Sequence, residues 1–255
     1  MRRVAILLGG RSSEHEISVA SARSVIAALD PAKYDVVTVE IGRDGRWQLG
    51  EGGRKELGPA AETLPVPASG GAVTTTLAGV EVVLPILHGP FGEDGTVQGM
   101  LELAGVPYVG AGVAASAVCM DKDLMKAVLR ANGIPVTRSV TLRNGDRPDH
   151  PFGYPVFVKP ASLGSSVGIS KVRTEEDLAP AIELARRHDE KVLVEEAVTG
   201  VEVECGVLGN REPIASLPGE IVAHGFSGQD WYDYSAKYDE GGMELVVPAR
   251  ISPES

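Results

Sequence analysis

Lys159 closes the apolar run Val156-Phe157-Val158, and a loop rich in glycine and serine follows it, Ser162-Leu163-Gly164-Ser165-Ser166-Val167-Gly168. A second β-rich run, Ile169 to Val172, comes directly after. Small residues let backbone N–H groups approach an anion closely, and Ser165 and Ser166 add hydroxyl donors. A lysine anchored on a strand holds its positive charge in place. The chemistry this combination points to is the gripping of a phosphate. A strand rather than a helix follows the glycines, so the Walker arrangement does not apply. Other residues with chemical potential sit in loops after apolar runs. Glu14 lies in Gly9-Gly10-Arg11-Ser12-Ser13-Glu14-His15-Glu16, and His88 opens His88-Gly89-Pro90-Phe91-Gly92-Glu93-Asp94-Gly95. Lys122 follows Met120-Asp121, Glu195 and Glu196 end a β-rich run, and Glu202 begins another. Lys237 and Tyr238 close the aromatic stretch Trp231-Tyr232-Asp233-Tyr234-Ser235-Ala236-Lys237-Tyr238. Taken singly, each has a commonplace explanation. A lone histidine is more often hydrogen-bonded structure than catalyst. Lys122 fits a solvated helix face, Glu202 an exposed strand, Glu14 a helix cap, and the aromatic stretch a cover over an apolar edge.

The elements that must position these residues change character along the chain. Val4 to Leu8 is a continuous apolar run, as a strand buried on both faces requires. A helix is predicted from about Ile17 to Leu29; Ser13 and Glu16 have capping-box spacing, and Asp30-Pro31 stops the helix. Asp35 to Ile41 alternates and reads as a strand, with Asp44-Gly45 at the centre of a hairpin turn. Glu81 to Leu87 is a further strand, and Val97 to Ala104 a helix that closes on Gly105. This succession predicts a doubly wound α/β domain with its site at the strand ends. The first loop lacks Gly-x-Gly-x-x-Gly, which makes a dinucleotide-dependent dehydrogenase a poor fit. From Asp121 a helix runs to Asn132, with Gly133 as its cap, and a strand covers Ile134 to Leu142. The Lys159 hairpin follows, then a helix capped at Thr174 and running to about Arg187, and strands at Lys191 to Val198 and Val201 to Leu208. Antiparallel pairs with helices on one face predict an α+β region. The expected division is 1–120, 121–210 and 211–255. Residues 50–72, rich in glycine, proline and glutamate, are assigned no role.

Composition removes several classes of function. The 255 residues carry 43% hydrophobic side chains, which is ordinary for a folded domain. The formal net charge of -11 argues against a general nucleic-acid or anionic-membrane binder, because such surfaces need clustered Lys and Arg. No apolar run approaches membrane-spanning length and no signal peptide opens the chain, so a cytoplasmic location is expected. Cys119 and Cys205 lack metal spacing and are expected to be small buried hydrophobes. Ser252-Pro253-Glu254 reads as the start of a helix, and Ser255 follows at once, so the polypeptide is expected to be cut short.

Taken together and in order, these motifs resemble the D-alanine–D-alanine ligases of the ATP-grasp superfamily. The resemblance rests on Leu8-Gly9-Gly10 with Ser13-Glu14-His15-Glu16-Ile17-Ser18, on the His88–Gly95 loop, Met120-Asp121-Lys122, Val158-Lys159-Pro160, Gly164 to Gly168, and Tyr232 to Tyr238. It implies a pre-ATP-grasp α/β domain followed by an ATP-grasp fold whose C-terminal half is incomplete here. It implies that the carboxylate of one D-alanine is phosphorylated by ATP and that the amine of a second attacks the acyl phosphate, for peptidoglycan precursor synthesis. Phosphoryl transfer depends on positioning and charge neutralisation, which suits lysines and Mg²⁺ or Mn²⁺. Lys122 and Lys159 would then hold the ATP phosphates, the Ser165-Ser166 loop would cover them, and Lys237 would reach the γ-phosphate. Glu195, Glu196 and the backbone through Val198 would face adenine, and Glu202 the ribose hydroxyls. Glu196 and Ala197 stand where the family commonly has a basic or bulky residue. Glu14 would bind the first D-alanine's ammonium near His88 and form a hydrogen-bonded set with Ser165 and Tyr238. The family's metal ligands, an aspartate and a Glu-x-Asn pair, have no match: Asn132, Asn144 and Asn210 do not follow an acidic residue by two. They are expected beyond Ser255. A homodimer is also implied. The alternatives are another ATP-grasp carboxylate–amine ligase and a nucleotide-binding module or fragment without activity.

Overall fold

A computed structural model of the chain describes residues 1–49, 77–223 and 243–252. The unassigned stretch 50–72, the aromatic run with Lys237 and Tyr238, and most of the final helix start lie outside the described residues. The chain forms two compact units, Met1–Val136 with Ala161–Gly164, and Thr137–Pro160 with Ser165–Ser255.

In the first unit, β1 (Arg2–Gly9) lies between β2 (Tyr34–Ile41) and β4 (Val82–Pro85) and is parallel to both. A short β3 (Trp47–Leu49) pairs antiparallel with the outer edge of β2, giving the order β3-β2-β1-β4. Successive residues of a strand face opposite sides of a sheet. Ala5 and Leu7 therefore enter one core with Val37, Val39 and Trp47, while Ile6 and Leu8 enter the other. Helix α1 (His15–Ala28) covers the second face through Val19, Ala22, Val25 and Ile26. Helix α2 (Thr96–Ala104) covers the first through Val97, Met100 and Leu101, and ends on Gly105 in the left-handed conformation. Helices on both faces of a largely parallel sheet are the expected doubly wound arrangement. They explain why β1 reads as one unbroken apolar run.

Two further helices complete this unit, α3 (Val113–Met120) and α4 (Lys122–Ala131). Asp121 caps α4, its carboxylate accepting from the N–H groups of Asp123 and Leu124. The second unit contains β5 (Ser139–Leu142), β6 (Val156–Pro160), β7 (Ser170–Val172), α5 (Glu175–Arg186) and β8 (Val192–Glu196). Its antiparallel sheet has the order β5-β8-β6-β7, and Leu178, Ala181, Ile182 and Ala185 of α5 pack on Val156, Val158, Val192 and Val194. Beyond it lie β9 (Glu202–Glu204), the pair β10 (Val207–Leu208) and β11 (Ile214–Ala215), and β12 (Gly219–Ala223) with β13 (Met243–Val246). β12 pairs with both β9 and β13.

Four expectations are corrected. The capping box does not form: α1 takes Glu14 as its N-cap with no side-chain cap bond, one residue later than Ser13. Glu16 therefore falls out of capping register and meets Arg43 instead, at 3.3 Å. Both cysteines are exposed rather than buried. The strand expected from Ile134 starts only at Ser139, and the run from Val201 breaks between β9 and β10. Val201, Val203 and Val207 of that run are exposed.

Candidate active site

Glu14 sits where β1 ends and α1 begins, the position at which doubly wound sheets gather ligands. Although charged, it is only 3% exposed. Ser12 stands beside it, accepting a hydrogen bond from the Glu14 backbone N–H at 3.2 Å and donating to the carbonyl of His88 at 2.7 Å. The His88 ring meets the Ser21 hydroxyl of α1 at 3.3 Å. Gly89 comes so close that a Cβ there would lie 2.4 Å from Glu14 Oε2, and its φ of +73° favours glycine as well. The loop beyond is braced from within. Glu93 Oε2 accepts from Gly89 N–H, Asp94 from Phe91 and Thr96 N–H, and Gln98 donates to the carbonyl of Gly92. The glycines and carboxylates of His88–Gly95 thus hold one another in a fixed turn.

The segment Ala161–Gly164 belongs to this unit and meets two of the residues singled out. Lys122 Nζ donates to the carbonyl of Leu163 and, at 3.4 Å, to that of Ala161. The Lys122 backbone N–H also reaches Ala161 O at 3.0 Å. A Cβ on Gly164 would lie 4.0 Å from Glu14 Oε2. Lys122 and, more distantly, Glu14 therefore lie against one stretch of backbone, Ala161–Gly164. A cavity of about 480 Å³ opens there, lined by Leu87, Glu93, Gln98, Lys122, Leu163 and Gly164 among others.

In the second unit, Lys159 lies on β6 and Glu195 on the adjacent β8, and the ammonium donates to Glu195 Oε2. Phe157 lies beneath two cations, with Lys159 Nζ 5.4 Å and Lys171 Nζ 5.8 Å from its ring centre. Ser165 and Ser166 have φ of +49° and +60°, a left-handed conformation that costs a non-glycine residue energy. Gly168 follows at φ +69°, and a Cβ on it would fall 2.7 Å from His188. Glu196 is held by Arg138 through bonds of 2.8 Å from the backbone N–H and 2.7 Å from Nε. That pairing explains how a carboxylate is accommodated where a basic or bulky residue was expected. Val198 is exposed, and Glu202 projects from the exposed strand β9 in a different sheet from Lys159. On β12, Glu220 receives two guanidinium bonds and a backbone bond from Arg250. Those hydrogen bonds hold its carboxyl at a pKa of about 2, well below its usual 4.5.

Reading the residues alone missed Ser12, Asp121, Arg138 and Lys171. Asp121 had a signal, since aspartate is a preferred N-cap. Ser12 had none, because its partner carbonyl is 76 residues away. Among the described residues, no three His, Cys, Asp or Glu side chains come together as a metal site, and no helix is long and apolar enough to cross a membrane.

Comparison with known proteins covers almost the whole chain. Residues 3–111 match the family model described as D-ala D-ala ligase N-terminus, and residues 128–255 match D-ala D-ala ligase C-terminus. A D-alanine–D-alanine ligase of Geobacillus thermodenitrificans is 44% identical over 99% of this chain and 75% of its own length. One from Mycobacterium sp. (strain KMS) is 47% identical over 99% of this chain and 76% of the relative. Among solved structures, the VanG D-Ala:D-Ser ligase of Enterococcus faecalis gives a TM-score of 0.80 at 36% identity, covering 99% of this chain and 78% of that one. The D-alanine-D-alanine ligase of Coxiella burnetii gives 0.74 at 40%, over 86% of this chain and 68% of that one.

Proposed function

The chain belongs to the D-alanine–D-alanine ligase family, and from that premise we infer that it joins two D-alanine molecules with the conversion of ATP to ADP and phosphate. It is an ATP-dependent ligase, and its dipeptide product serves peptidoglycan precursor synthesis. The observation that carries the residue roles is the meeting of Glu14 and Lys122 on Ala161–Gly164, which sets an ammonium-binding carboxylate and a phosphate-binding cation beside one loop.

In the proposed reaction, a carboxylate oxygen of the first D-alanine attacks the γ-phosphorus of ATP, and ADP leaves. The amine of the second D-alanine then attacks the acyl carbon, loses a proton, and expels phosphate. Glu14 takes the first substrate's ammonium and His88 stands beside it. Lys122, Lys159 and Lys237 balance phosphate charge, and the left-handed turn at Ser165-Ser166 covers the phosphates. A phosphate arriving at Lys159 competes with Glu195 for the ammonium's donors, and Glu195 faces the base. Glu196 and Val198 complete the adenine side, Glu202 takes the ribose, and Tyr238 joins Glu14 and Ser165 in closing the site. Magnesium is part of the family expectation, and among the described residues no three His, Cys, Asp or Glu side chains come together to hold it. A homodimer is carried over from the same resemblance, and a cytoplasmic location from the reading of the sequence; light scattering at working concentration checks the first.

Incubation of the chain with ATP, Mg²⁺ and D-alanine should yield D-alanyl-D-alanine and ADP in equal amounts. Binding of ATP without any dipeptide would favour the nucleotide-binding module instead. A second reading, with the same first substrate and a different acceptor, draws on the likeness to a D-Ala:D-Ser ligase. Offering D-serine and D-lactate beside D-alanine decides it by which mixed product accumulates.

A further inference from the structure

We propose that Ser12 is a positioning residue that ties Glu14 to the His88 loop, setting the affinity for the first amino acid's ammonium. This rests on the reading of Glu14 as the ammonium ligand. The hydroxyl is buried, and a single oxygen serves both sides of the crevice: it accepts from Glu14 N–H at 3.2 Å and donates to His88 O at 2.7 Å. Those partners lie on segments with no local connection, the β1–α1 turn and the loop that leaves β4. Few side chains do this. Alanine offers neither function, and a carboxylate or ammonium offers only one.

The neighbouring contacts leave little freedom for Glu14 once the tether is made. A Cβ at Gly89 would lie 2.4 Å from Glu14 Oε2, and 3.2 Å from the Ser12 Cβ. Gly89 is itself fixed by its N–H bond to Glu93, and the His88 ring by Ser21. Loss of the Ser12 hydroxyl would leave a buried N–H and a part-buried carbonyl to find new partners, and the cheapest adjustment is a shift of the two segments apart. A carboxylate displaced by even part of an ångström loses alignment with a bound ammonium, whereas Lys122, tied to the Ala161 and Leu163 carbonyls, keeps its place.

The test compares Ser12→Ala, Ser12→Cys and Ser12→Thr with the wild type, measuring KM for the first D-alanine, KM for ATP, and thermal stability. Ser12→Ala should raise the first D-alanine KM about tenfold, in line with a lost buried hydrogen bond, while KM for ATP stays within about twofold. Ser12→Thr should restore the wild-type value. If the alanine variant fails to fold, Ser12→Cys, similar in size but weak as donor and acceptor, should show the same selective rise. A D-alanine KM unchanged in a folded variant, or one that rises in step with that of ATP, overturns the tether. A wild-type chain that neither binds nor uses D-alanine removes the underlying reading of Glu14, and the tether falls with it. The wild-type control thus separates the two failures.

Discussion

Glu14 shows how a common residue becomes specific through its surroundings. It is a charged side chain removed from water at the end of a buried strand, with glycine in front of it at Gly89 and beside it at Gly164. Burial of a carboxylate demands charged or donating partners, and in the proposed role a substrate ammonium joins them. Glu14→Gln, which keeps the shape and removes the charge, should lower kcat/KM for the first D-alanine by about tenfold or more, read in steady-state ADP release. Lys159→Met should act on the other substrate, weakening ATP by about tenfold in equilibrium titration while leaving the first D-alanine's affinity alone. Glu14 and His88 were singled out because each stands in a strand-end loop of glycines and carboxylates, and Lys159 because it closes an apolar run; Lys122, which opens α4, was reached only through the family resemblance. Ser12 and Arg138 were not, because what they do depends on partners far away in the chain.

At the scale of elements, the Lys159 hairpin was the plainest feature of the sequence, and β6 and β7 form it with the loop between them. Two apolar runs around small residues admit few other folds. Gly168 is the hinge of that turn. Gly168→Ala places a methyl against His188 and Pro160 in a left-handed backbone, so thermal unfolding should occur several degrees lower and ATP should bind less tightly. Asp121 has a milder task, capping the helix that begins with Lys122. Asp121→Ala should cost about 1 kcal/mol in denaturant unfolding. Helix α3 escaped notice because Val-Ala-Ala-Ser-Ala-Val-Cys-Met has no polar face to set a helical period. The cysteine within it was judged by its chemistry, not its position, and proved exposed. The false capping box has a similar origin: Ser13 and Glu16 are spaced correctly, but the helix starts one residue on, so spacing without register misleads.

For the molecule as a whole, the doubly wound α/β and the α+β architectures were both foreseen, because hydrophobic period reports layer architecture directly; the first compact unit, however, runs on past Asp121 to Val136. The β9–β13 region was less legible, since its strands are short and largely exposed and so lack a buried stripe to read. A strong polar fixture there is the Glu220–Arg250 pair. Glu220 keeps its charge down to a pKa of about 2, against a usual 4.5. A depressed carboxyl pKa stabilises the fold fully above the unfolded value, and that contribution is lost as pH falls towards the folded one. The wild type should therefore lose its advantage over Glu220→Gln between about pH 4.5 and 2, followed by circular dichroism across that range. The reaction itself is tested most directly by the path of one oxygen atom. With D-alanine carrying ¹⁸O in its carboxylate, attack on ATP followed by amine attack must leave one labelled oxygen in each phosphate released. Labelled phosphate formed together with D-alanyl-D-alanine is the predicted result; dipeptide accompanied by unlabelled phosphate, or no dipeptide at all, would contradict it.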